Sequence, residues 1–232
     1  MDPMTMDSVD VNGFDCLLGL PPGEDPVAAV IVIHEAWGRN ADIRAIGGRF
    51  VEAGYATLVP DMYSAGFKPL CIARTVADVF RHDAIEAAAS VDGMRAWLAT
   101  QPGIRGDRVG VIGFCLGGAI AVMSAATGDF QAASVNYGEV PTDTAKLEDI
   151  CPVVGSYGRL DTRLLDSADR LRQVLAEQGV PHDIEVYEGA GHSFLNDAMP
   201  EVLTKRIASI GYAPDQAEDA WRRILAFFDQ HL

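Results

Sequence analysis

Arg108 to Phe114 reads as an apolar strand that runs without a loop into Cys115-Leu116-Gly117-Gly118, then into a helix of small and apolar residues ending near Ala126. No other feature of the chain restricts the fold as much. Gly113-Phe114-Cys115-Leu116-Gly117 has the Gly-x-nucleophile-x-Gly form of a strand-to-helix elbow. A turn that tight strains its apex residue, and side chains two positions before and after it would strike the neighbouring strand and helix. Glycine at 113 and 117 removes them. The Cys115 sulfur is then expected above the sheet, at a helix N-terminus whose partial positive charge favours a thiolate. The alternative is a small buried apolar cysteine. The preceding strand, the Gly117-Gly118 pair and the following helix together favour the nucleophile.

The rest of the chain supplies the sheet that such a junction needs. Short apolar runs alternate with longer helical stretches, the pattern of a mostly parallel α/β sheet flanked by helices, and residues 1–232 read as one domain. Val9 to Leu20, broken at Asn12-Gly13, is expected to form a strand or hairpin. Val27 to His34 is a central strand buried on both faces. Tyr55 to Pro60, Ala132 to Tyr137, Pro152 to Tyr157 and Asp183 to Tyr187 are further strands. Helices are expected over Asp42 to Ala53, Val76 to Thr100, Leu164 to Gln178 and Asp215 to His231.

Catalytic partners for the elbow are expected in the order nucleophile, acid, histidine. His192 lies in Gly189-Ala190-Gly191-His192-Ser193-Phe194, just beyond the last clear strand, and Asp161 follows the strand ending at Tyr157. A loop histidine and a helix N-cap are the bland alternatives, and Asp166 is the rival acid. His82, His182 and His231 read as surface residues. After the first central strand comes His34-Glu35-Ala36-Trp37-Gly38. This loop is expected to supply one oxyanion-hole amide, Ala36 N–H, beside that of Leu116. Glu35, a carboxyl among apolar neighbours, needs either a task or a salt-bridge partner.

The formal net charge of −15 disfavours nucleic acid and anionic membrane as partners. No apolar stretch approaches a membrane span, and the acidic start, with Asp2, Asp7 and Asp10, does not resemble a secretory signal. Cys16, Cys71, Cys115 and Cys151 form no Cys-x-x-Cys pair. The expectation is a cytoplasmic protein, monomer or homodimer, acting on a small molecule without a metal or other cofactor.

Taken together, these residues resemble the dienelactone hydrolase family (carboxymethylenebutenolidases) of α/β-hydrolases. The matching pieces are His34-Glu35-Ala36-Trp37-Gly38 with Asn40, Pro60-Asp61-Met62-Tyr63, Gly113-Phe114-Cys115-Leu116-Gly117-Gly118, Asn136-Tyr137-Gly138, Asp161 and Gly191-His192-Ser193-Phe194. The resemblance implies an α/β-hydrolase fold and a Cys115–His192–Asp161 triad that hydrolyses small esters or lactones through a thioester. It also implies that Glu35 holds the thiol at rest and takes its proton when substrate binds. For substrate binding it points to Trp37, Tyr137 and Phe194, and to Arg74 or Arg81 for a substrate carboxylate. A second family arginine is replaced by Asn196, which puts the dienelactone substrate in question and leaves the hydrolase chemistry intact. The alternatives are a carboxylesterase or thioesterase of the same family without carboxylate recognition, a thiol redox or sensing protein, and a non-catalytic ligand binder.

Overall fold

The computed structural model describes residues 6–126, 129–197 and 211–232. Asn12 and Gly13, both at positive φ (55° and 84°), turn β1 (Asp7–Val11) back onto β2 (Phe14–Gly19), as a two-residue hairpin loop requires. Six more strands follow: β3 (Val27–Ile33), β4 (Ala56–Pro60), β5 (Ile104–Phe114), β6 (Ala132–Asn136), β7 (Val153–Gly158) and β8 (His182–Tyr187). They form one sheet in the order β1-β2-β4-β3-β5-β6-β7-β8. The hairpin joins it antiparallel, and every pairing from β4 to β8 is parallel.

Both faces of the sheet are covered. Along β3, Ala29, Ile31 and Ile33 point into one core and Val30 and Val32 into the other, which explains an apolar run without alternation. Helices α1 (Ala41–Glu52) and α6 (Pro214–His231) pack on the Val30 side; α3 (Ile85–Leu98), α4 (Leu116–Ala125) and α5 (Leu165–Glu177) pack on the other, with α2 (Lys68–His82) resting on α3 and α4. Asn40 caps α1, its side chain accepting from Ile43 N–H at 3.0 Å. No helix among the described residues is long and apolar enough to cross a membrane.

The single helix expected over Val76 to Thr100 is two helices. Asp83 and Ala84 both take left-handed backbone (φ 53° and 61°) and end α2. The Asp78 carboxyl then accepts from the backbone N–H groups of Glu86 (3.3 Å) and Ala87 (2.9 Å), giving α3 the cap that its own first residues lack. Two of the histidines read as surface residues are partly covered. His182 opens β8 with Nδ1 2.8 Å from the Val180 carbonyl, and His231 is half-buried against Phe227.

Candidate active site

The loops that leave the C-terminal ends of β3, β5, β6, β7 and β8 carry the candidate residues. Cys115 sits at the apex between β5 and α4 with φ 55° and ψ −115°, a conformation a side-chain-bearing residue adopts only under constraint. Its N–H donates to the Asn136 carbonyl at 3.0 Å, and its carbonyl accepts from Gly118 and Ala119 to start the helix. A Cβ at Gly113 would lie 1.9 Å from the Gly117 carbonyl oxygen, and one at Gly117 would lie 2.5 Å from that of Ile33. The elbow cannot form with larger residues at either position.

Asp161 and His192 meet across the β7 and β8 loops. The Asp161 carboxyl, 3% exposed, lies 2.6 Å from His192 Nδ1 through Oδ2, and its Oδ1 accepts from Arg163 Nε at 3.1 Å. Residue 164 caps α5 and Asp166 lies in its first turn, so Asp161 is not a helix cap. Burial pushes the Asp161 carboxyl up, but the bonds and charges of His192 and Arg163 outweigh it and hold the group below its usual range. Burial likewise disfavours charge on His192. Its hydrogen bonds to Asp161 and to the Cys115 side chain, with the charges of both, raise it to about 9. The imidazole lies 5.2 Å from the Tyr137 ring, inclined to it at 59°.

The β3–α1 loop is fixed by residues whose roles were not read from the sequence. His34 is fully buried. Its Nδ1 lies 2.6 Å from the Glu35 carbonyl oxygen and its Nε2 accepts from Met62 N–H at 3.0 Å, partners that assign the proton to Nδ1. Burial keeps the ring neutral. Tyr63 Oη donates to the Ala36 carbonyl at 3.1 Å. Glu35 itself is 1% exposed. Its Oε1 accepts from Ser193 Oγ at 2.6 Å, while Oε2 is buried without a hydrogen-bond partner. Burial raises this carboxyl, with Ser193 and His192 opposing. The hydrogen bond that Glu35 makes is thus with Ser193, whereas the resemblance implied that it holds the thiol at rest. Asn196 is occupied elsewhere: its Oδ1 accepts from Tyr137 Oη and its Nδ2 donates to Asp42 at 2.6 Å.

Cys115 and His192 open on a cavity of about 380 Å³ that Ala36, Leu116 and Tyr137 also line. Its other walls are Val76, Val79 and Phe80 of α2, with Ala119 and Leu164, and it has two charged residues, Glu139 and Arg163. Four expected substrate contacts lie off this wall. Arg74 reaches Glu86 at 3.6 Å and borders a separate, smaller hollow, and Arg81 is exposed on α2. Trp37 is 64% exposed, and Phe194 is buried behind Tyr137 at 5.7 Å. Val76 and Val79 of α2 face the cavity, exposed Phe80 borders its rim, and Arg74 and Arg81 do not line it. Among the described residues no group of three His, Cys, Asp or Glu side chains is placed to hold a metal ion.

Residues 14–232 match the model of the dienelactone hydrolase family. A protein named usf from Aquifex pyrophilus is 32% identical over 216 residues, 88% of either chain. A protein from Salmonella typhimurium, provisionally named a carboxymethylenebutenolidase, is 31% identical over 87% of this chain and 77% of its own. Among solved structures, a provisionally named dienelactone hydrolase from Klebsiella pneumoniae superposes with a TM-score of 0.75 at 26% identity, covering 97% of both chains.

Proposed function

The chain belongs to the dienelactone hydrolase family, and we propose that it hydrolyses small carboxylic esters or lactones through a thioester on Cys115. The observation that carries this reading is the line Cys115–His192–Asp161 at the mouth of the cavity, with the nucleophile candidate on a strained elbow and the imidazole 2.6 Å from a buried carboxyl.

With His192 raised to about 9, the imidazolium is the partner that a Cys115 thiolate needs at neutral pH. The thiolate attacks the substrate carbonyl carbon, and the electron pair moves to oxygen, where the N–H groups of Ala36 and Leu116 receive it. Collapse expels the alkoxide, which takes the proton from His192, and leaves Cys115 acylated. Acylation then changes the histidine. The Cys115 hydrogen bond and charge, two of the causes holding it high, are gone, while burial still disfavours its charged form. His192 becomes a base, takes a proton from water, and the hydroxide displaces Cys115. Asp161 keeps the Nδ1–H tautomer throughout.

The wall favours the reading without dedicated carboxylate recognition, because neither Arg74 nor Arg81 borders the cavity, Arg163, which does, already pairs with Asp161, and Asn196 is bound to Tyr137 and Asp42. A panel of short p-nitrophenyl esters and of lactones with and without a carboxylate tests both levels. Cys115→Ala is expected to lose at least about a thousandfold in kcat while remaining folded. His192→Ala should accumulate a Cys115 acyl adduct visible by intact mass. Near-normal hydrolysis by Cys115→Ala would falsify the mechanism.

A further inference from the structure

Resting on the hydrolase reading of the cavity, we propose that Glu139 is a charge filter. It admits esters and lactones whose pendant group is neutral or cationic and rejects those that carry a carboxylate.

Glu139 belongs to the loop that leaves β6, and the backbone on both sides of it is tied down. Before it, Tyr137 N–H donates to the Ser156 carbonyl at 2.8 Å, and the Gly138 carbonyl accepts from Tyr157 Oη at 3.1 Å. After it, Val140 N–H donates to Ser167 Oγ at 3.3 Å, and the Val140 carbonyl accepts from Arg170 at 2.8 Å. Gly138 also lies directly against the first turn of α4, where a Cβ would sit 2.4 Å from the Gly118 carbonyl carbon. Tyr137, Gly138 and Val140 are buried, and Glu139 between them is exposed. Its side chain borders the cavity on which Cys115 and His192 open. Moving it off that wall by loop motion would break buried hydrogen bonds on either side.

The charge so placed is not offset. Among the described residues the Glu139 carboxylate has no hydrogen bond and no ion pair. Two arginines come near this part of the fold, and both have other partners. Arg170 donates to the Val140 carbonyl, and Arg163, the other charged residue of the wall, pairs with Asp161 at 3.1 Å. The lining beyond the triad is mostly apolar, with Val76, Val79, Ala119 and Leu164. An apolar wall cannot solvate an anion, and a fixed carboxylate repels it. A neutral group meets no such penalty, and a cation is attracted. Rejecting one class of substrate by an unpaired like charge is a common route to specificity. The net charge of −15 acts in the same direction, but salt near the physiological level screens charges beyond about 8 Å. The residue on the wall should then dominate.

Two ester series test this. One carries a tert-butyl, trimethylammonium or carboxylate end on the acyl chain of a p-nitrophenyl ester, and the other carries the same three ends on the alcohol. The readout is the ratio of kcat/KM values within each series, with spontaneous hydrolysis subtracted. In at least one series wild type should prefer the ammonium ester to the carboxylate ester by at least about tenfold. Glu139→Gln should bring that ratio within about threefold, and Glu139→Lys should invert it. Glu52→Gln removes the same charge from exposed α1, on the opposite face of the sheet, and should keep the wild-type ratio. Raising the salt to about 1 M, where the screening length is about 3 Å, should compress the wild-type ratio. The filter is overturned if wild type treats the three ends alike in both series, or if Glu139→Gln leaves the ratio where it was. A wild-type preference for the carboxylate ester, expected if Arg163 met the pendant group, also overturns it. Hydrolysis surviving in Cys115→Ala would instead strike the underlying reading, so the two failures are distinguishable.

Discussion

Asp161 and Glu35 are both carboxyl groups buried against the short loop that carries His192 and Ser193, yet their surroundings drive them in opposite directions. Burial acts on both with the same sign. The difference lies in the partners. Asp161 receives an imidazole and a guanidinium, one on each oxygen, and is held below the usual range. Glu35 receives one neutral hydroxyl and is pushed up. Two carboxyls whose environments separate them this way are the mark of divided roles within one site. What each oxygen touches separates them: an imidazole and a guanidinium on Asp161, a single hydroxyl on Glu35. The same rule applies to His192, which burial would lower but which Asp161 and the Cys115 side chain together hold up at about 9.

The comparison breaks most decisively at Asp161. Asp161→Asn keeps the shape but offers His192 an amide that can donate as well as accept, so the wrong tautomer competes. A loss of at least about a hundredfold in kcat is expected. Asp166→Asn, on the exposed first turn of α5, should remain near wild type. Steady-state rates of the two variants on one ester suffice, and the reverse ranking would move the acid to Asp166.

A smaller effect should follow at Arg163, the cation that Asp161 has and Glu35 lacks. Its side chain is 72% exposed, so solvent screens the pair, and such pairs are worth roughly 0–1 kcal/mol. Arg163→Gln is expected to cost no more than about fivefold in kcat/KM on a neutral ester. Removing the guanidinium also removes one cause of the low Asp161 value, so the acid limb of the rate profile should move to higher pH. An unmoved limb, or a loss near that of Asp161→Asn, would show that the arginine acts on something other than the carboxyl.

The two carboxyls also differ in how far the sequence discloses them. The elbow is legible because its demand is local: backbone approaches of 1.9–2.5 Å at Gly113 and Gly117 admit no Cβ. Asp161 and His192 are legible from their places after β7 and β8, and parallel pairing brings those loops together. What Glu35 touches depends instead on a contact 158 residues away, which no local pattern records. His34 and Tyr63, which fix the Ala36 loop, stood in the quoted motifs without a role. Their bonds to Met62 N–H and the Ala36 carbonyl arise only when the ends of β3 and β4 lie side by side. The cavity wall was the least readable part. The break at Asp83-Ala84 uses left-handed residues that are not glycine, and it ends the helix whose Val76, Val79 and Phe80 border the cavity.

The smallest expected effect is on stability, and it carries the comparison to its sharpest form. A carboxyl held low in the folded protein stabilises it above the unfolded value of 3.8, and that contribution disappears as pH falls through the folded value. A carboxyl held high behaves in the opposite way. Its contribution is complete below the unfolded value of 4.5 and is lost as pH rises through the folded value, because the unfolded chain can ionise and the folded one resists. Asparagine and glutamine mimic the protonated acids at any pH. At neutral pH, Asp161→Asn should therefore melt below wild type and Glu35→Gln at or above it, with both differences shrinking toward acid. Between the unfolded and folded values of Glu35 the wild-type curve should lose up to about 1.4 kcal/mol per pH unit relative to the glutamine variant. For a chain of this size each kcal/mol corresponds to roughly 2–4 °C in melting temperature, within reach of calorimetry across a pH series. Opposite signs at neutral pH and convergence in acid are expected. If Glu35→Gln instead melts below wild type by an amount that grows with pH, Glu35 is ionised in the folded protein, and the contrast between the two carboxyls fails.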